Sequence, residues 1–146
     1  MKLAPLTMIL TVLVAALFSP FAAAQSEYEF FETSKWGPQY IKKNFTKDEF
    51  GASLEVLVNI KNPSDFPVFR GKKLNPSSML LRGFISCSER KRVYNYISLF
   101  SDNWATGRIL DEGAISDNGF IYSEQEWSQN NYSEKFCKKP KRFGIF

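Results

Sequence analysis

The apolar stretch between Leu3 and Ala24 decides how much of this 146-residue chain is free to fold, and in which redox environment. A single charge, Lys2, precedes the run from Met8 to Phe18. Pro20 then interrupts it, and Ala22, Ala23 and Ala24 supply the small side chains that a signal peptidase accepts. The pattern predicts a cleavable secretory signal over residues 1–24, followed by one small domain over 25–146 that begins at Gln25. A membrane anchor is the competing reading, because the stretch could cross a bilayer if tilted, but Pro5 and Pro20 break it. No later segment is apolar enough to span, so no transmembrane segment is expected once the signal is removed.

Export bears on the cysteines. The domain holds two, Cys87 and Cys137, and in an oxidising compartment two cysteines favour a disulfide. Catalytic redox pairs sit close in sequence, whereas these lie 50 residues apart, which favours a structural bridge over a redox pair or two free thiols. The count of 0 histidines removes the commonest general base, metal ligand and haem ligand. Zinc hydrolysis, Ser-His-Asp and Cys-His chemistry are excluded in their usual forms. No cofactor and no metal are expected, and no spacing singles out an acid–base pair of carboxylates, Glu124 and Glu126 included.

Aromatic residues make up 16% of the chain and tilt the domain toward strands. The clearest strand is Ser53 to Lys61, with apolar side chains at 54, 56, 58 and 60, a period of two that buries one face. Asn62 to Ser78, broken by Pro63, Pro67, Gly71 and Pro76, predicts an exposed, mobile loop. Met79–Cys87 and Val93–Phe100 read as a hairpin across Glu89-Arg90-Lys91-Arg92, and Gly107–Ile115 as a further strand. Tyr28–Thr33 and Gln39–Ile41 are weaker candidates. Ser128 to Lys139 places Tyr132, Phe136 and Cys137 on one side of a helix that Pro140 stops. The expected class is α+β: an antiparallel β-sheet of five or six strands with a C-terminal α-helix tied to the sheet by the disulfide.

Such a bridge would also bring two basic runs together, Arg90, Lys91 and Arg92 from the turn and Lys135, Lys138, Lys139, Lys141 and Arg142 from the helix end. One joint surface could attract an anionic polysaccharide, a lipid headgroup or a protein. The plainer reading is a solvated helix end whose lysines complement the helix dipole. Nucleic acid is not expected, because 19 Lys and Arg against 15 Asp and Glu is a mild excess. Trp36, Trp104 and Trp127 read as packing residues before they read as stacking platforms.

Several of these features recur together in one family. Trp36, the segment Leu80-Leu81-Arg82-Gly83-Phe84-Ile85-Ser86-Cys87 followed by Arg90 and Arg92, then Trp127 and Phe136-Cys137, resemble the surface-adhesin protein E family of Gram-negative bacteria. The resemblance implies an antiparallel sheet with a disulfide-tied terminal helix, in a periplasmic or secreted envelope protein that binds other molecules and is not an enzyme. Members characterised as adhesins bind host extracellular-matrix proteins. The chain lacks the lipid-modified cysteine of the adhesin itself. A secreted or periplasmic inhibitor of a cell-wall hydrolase, using the loop Asn62 to Ser78, is the alternative, and a homodimer is left open.

Overall fold

Strand β3 (Gly51–Asn59) carries the alternation expected of it: Leu54, Val56 and Val58, with Ile60 just beyond, are all buried. Leu57, on the opposite face, is buried as well, so the strand is covered on both sides along part of its length. Its central position explains this. In a computed structural model that describes residues 20–115, 120–121 and 132–137, the strands order as β1-β2-β3-β4-β5-β6, every neighbouring pair antiparallel. The others are β1 (Tyr28–Ser34), β2 (Gly37–Lys42), β4 (Ser78–Ser86), β5 (Lys91–Phe100) and β6 (Ile109–Ala114). The six strands of this path agree with the five or six expected; among the described residues a two-residue strand, β7 (Phe120–Ile121), also pairs with β5.

The two weak candidates, β1 and β2, form a full hairpin. Gly37 makes its turn possible with φ +142°, where a Cβ would lie 2.2 Å from the Asn59 carbonyl oxygen. The β4–β5 hairpin spans the charged turn as expected, with Arg90 at φ +52°. Among the described residues no helix is long and apolar enough to cross a membrane.

One face of the sheet, built on Ile41, Val56, Leu81, Ile97 and Leu99, forms the core. Among the described residues a long loop and a short helix cover it. Asn62 to Ser78 is more tightly held than the sequence suggests: after a 3₁₀ turn at Pro63–Asp65, Phe66 inserts into the core against Trp36, ring centroids 5.5 Å apart. The Lys73 ammonium donates to the carbonyls of Ser64 and Phe66, closing the loop on itself. The Arg70 guanidinium donates to the carbonyls of Glu112 (2.9 Å) and Ala114 (2.7 Å) and pairs with Asp111 at 3.2 Å, which fastens the loop to β6. Gly and Pro signal a break in regular structure; they do not report whether an aromatic within the break finds a core.

The second cover is the helix Tyr132–Phe136, only five residues long among those described, against the expected Ser128–Lys139. Phe136 is fully buried, its ring 5.6 Å from Phe31 and 5.2 Å from Phe45. Cys137 follows at once and is bonded to Cys87, S–S 2.07 Å and Cα–Cα 6.0 Å. At the other end, the helix Pro20–Glu27 runs across the expected Ala24–Gln25 cleavage point, and every described strand lies after it. Residues 1–19, which hold most of the expected signal, lie outside the described residues, as do Glu124, Glu126, Trp127 and Pro140.

Candidate binding surfaces

The disulfide joins the turn after β4, which carries one basic run, to Cys137, which directly precedes most of the other in the sequence. The members of the two runs differ in availability. Arg90 and Lys91 are exposed, and Lys91 pairs with its neighbour Glu89 at 2.9 Å. Lys135 pairs with Glu29 at 3.2 Å and lies over the rings of Phe31 and Phe136. Lys138, Lys139, Lys141 and Arg142 lie outside the described residues, but Lys138 is covalently next to the bridged Cys137.

Arg92 is not a surface residue. It is 0% exposed, its Nη2 donates to Glu32 Oε1 at 2.8 Å, and its guanidinium lies over Phe31 and Tyr94. The cause is a phase shift. Arg82 pairs with Tyr96 but Gly83 with Tyr94, so Asn95 is an extra residue in β5, and Tyr94 and Arg92 turn to the core face. A second bulge, at Phe31 in β1, sits between Phe30, which pairs with Tyr40, and Glu32, which pairs with Gln39. The two bulges bring opposite charges to one buried contact.

The other face of the sheet is covered only in part among the described residues. Across its middle, Glu55 gathers three donors: the Tyr28 hydroxyl at 2.7 Å, Lys42 Nζ at 3.1 Å and Arg82 Nε at 2.8 Å. Partial burial works against its charge, yet the bonds from Tyr28, Arg82 and Lys42 hold its carboxyl below the ordinary value. Burial, then the Glu55 hydrogen bond and charge, push the Tyr28 hydroxyl well up, and the bond to Glu55 raises Arg82. Toward one end, Tyr40 meets Trp104 with centroids 4.5 Å apart and Phe30 at 6.0 Å. Trp104 and Ala105 both have positive φ, and their N–H groups donate to Asn59 Oδ1 and Ser78 Oγ. Toward the other end lies a groove of about 550 Å³ with Phe50 and Phe84 exposed along it.

Sequence reasoning missed this face. Its one trace is the alternation in β3, which sends Glu55 to the side opposite Leu54 and Val56; the partners come from β1, β2 and β4, and only their register places them. No group of three or more His, Cys, Asp or Glu side chains able to hold a metal occurs among the described residues.

The sequence matches no protein-family model and no curated protein. Two solved structures of Haemophilus influenzae protein E do align with it. One has a TM-score of 0.46 and 13% identity over 75% of this chain and 89% of its own. The other, from a non-typeable strain, has a TM-score of 0.45 and 15% identity over 78% and 82%. Among solved structures, then, this chain is similar to protein E of Haemophilus influenzae, at low identity.

Proposed function

We propose that this chain is an exported, non-enzymatic binding protein of the bacterial envelope that engages an extracellular-matrix protein or an anionic ligand through the basic end of the fold. The observation that carries the reading is the Cys87–Cys137 bridge. It ties the turn bearing Arg90 and Lys91 to the residue just before Lys138, Lys139, Lys141 and Arg142, so six cations follow closely from one covalent junction. It also supports export, because such bonds persist outside the reducing cytosol. Arg92 is no part of the face, and Lys135, held by Glu29, contributes little net charge to it.

Heparin chromatography of the 25–146 domain tests this. Changing Lys138, Lys139, Lys141 and Arg142 to Ser should move elution to markedly lower salt, because each phosphate- or sulfate-like contact adds to the salt dependence. Elution at the same salt would reject the basic face. The inhibitor reading keeps one observation in its favour: Val68 is 64% exposed on a loop whose two flanks are pinned by Phe66 and Arg70. Capture of a cell-wall hydrolase that is lost on deletion of residues 67–72 would replace the first reading with that one.

A further inference from the structure

We infer that the groove between the 46–50 turn and the end of β4 is a binding site for an uncharged saccharide. The groove holds about 550 Å³, within the roughly 300–1,000 Å³ typical of small-ligand sites. Phe50 and Phe84 stand exposed by 73% and 45% along it, two apolar rings of the sort that cover the C–H face of a sugar. Between them the lining is hydroxylic, from Thr46, Ser53 and Ser88, which can both donate and accept.

Charge narrows the ligand class. Among the described residues, Lys47 and Asp48 are the only ionised side chains lining the groove, and they are opposite in charge. Lys47 Nζ is engaged on the Lys135 carbonyl at 3.0 Å. Asp48 Oδ1 accepts the N–H groups of Phe50 (2.8 Å) and Gly51 (3.0 Å), and none of the described residues donates to its Oδ2, which leaves an acceptor for paired sugar hydroxyls. A neutral ligand rich in hydroxyls and carrying apolar faces matches this set. A charged one does not.

Backbone pairing argues against an extended peptide here. Gly51 to Ser53 are bonded on one side to Ser86 to Phe84, and on the other to Thr46 to Asp48 through Ser53 N–H to Thr46 and Asp48 N–H to Gly51. Among the described residues both sides of Gly51 to Ser53 are already paired, which leaves no edge there for main-chain addition, so recognition falls to side chains. A second hollow of about 340 Å³ shares Thr46 and Ser53 and leads to Arg82 and Glu55, which gives room for more than one sugar ring.

The inference stands apart from the basic end, and its test keeps the two separable. N-acetylchitotriose and maltotriose, both uncharged, are titrated into isotope-labelled protein and followed by amide shifts and saturation transfer. At least one should shift amides of residues 46–53 and 84–88 with millimolar affinity, and Phe50→Ala and Phe84→Ala should each weaken it about tenfold. Phe50 is so exposed that its removal leaves the core intact, and unchanged spectra elsewhere certify the fold. The Ser variant at positions 138, 139, 141 and 142 should bind as the parent does. No shift at either set of residues by about 10 mM sugar, parent-like binding by both Phe variants, or loss of binding in the Ser variant would each overturn the proposal.

Discussion

Breaking the Cys87–Cys137 bridge should destabilise the protein in a way that depends on Phe136. The helix Tyr132–Phe136 has five described residues, whereas an isolated helix needs about 12–15 to persist in water. Its chief anchors are the disulfide and the buried Phe136 ring; the Lys135–Glu29 pair is exposed enough to add little. For a bridge spanning 50 residues, the chain-entropy relation gives about 4 kcal/mol. Phe136→Ala in the oxidised protein should cost about 3–5 kcal/mol, since the backbone at Cys137 cannot leave and a cavity remains beneath it. In the Cys87→Ser/Cys137→Ser background the helix can undock, and the same truncation then costs no more than docking contributes. Urea unfolding of the four proteins should therefore show a coupling of at least about 1 kcal/mol, the combined variant being more stable than additivity predicts. Proteolysis after residue 131 should rise in the bridge-free proteins alone. Additivity within about 0.5 kcal/mol would refute the two-anchor account.

Four further outcomes follow from contacts elsewhere in the fold. Glu55→Gln should lower stability by about 1–2 kcal/mol by weakening charge-assisted bonds to Lys42 and Arg82. Because Glu55 is held below its ordinary 4.5, its contribution is complete above that pH and is lost as pH falls through the depressed value. Urea midpoints should thus fall more steeply in acid for the parent than for Glu55→Gln. Tyr28 has the opposite sign: its contribution is complete below its ordinary 10.0 and is lost above it, as the unfolded chain ionises first, so Tyr28→Phe should flatten the alkaline limb. Arg92→Ala should cost about 3–5 kcal/mol by leaving Glu32 without its buried partner and a hole beside Tyr94, with Arg92→Met costing less, both read from urea unfolding. Arg70→Ala should uncover the outward carbonyls of Glu112 and Ala114 on β6 and produce concentration-dependent self-association in sedimentation, with under about 1 kcal/mol lost in stability.

Much of the sheet was legible because side-chain period and strand geometry are the same information. Leu54, Val56, Val58 and Ile60 alternate in the sequence and all four are buried. The β4–β5 hairpin is equally readable from apolar runs either side of four charged residues. The loop Asn62–Ser78 misled because Phe66 and Arg70 act through partners that are distant in sequence, Trp36 and β6. Of the expected helix Ser128–Lys139, the described residues show Tyr132–Phe136 as helical and the turn ending before Cys137: spacing reports which residues share a side, and the bridge at Cys137 is set by a partner 50 residues away.

The sequence alone determined which residues of β3 face the core, where the main hairpin turns, and that two distant cysteines would favour one bridge. Those are consequences of local period and of a choice among very few pairings. Tertiary structure alone decided the fate of Arg92. In the sequence it is the last of four consecutive charges and belongs to a solvated turn. One extra residue at Asn95 and another at Phe31 each invert the phase of a strand, and they carry Arg92 and Glu32 inward to a 2.8 Å contact. A bulge is a property of two paired strands, so no single strand's sequence could announce it.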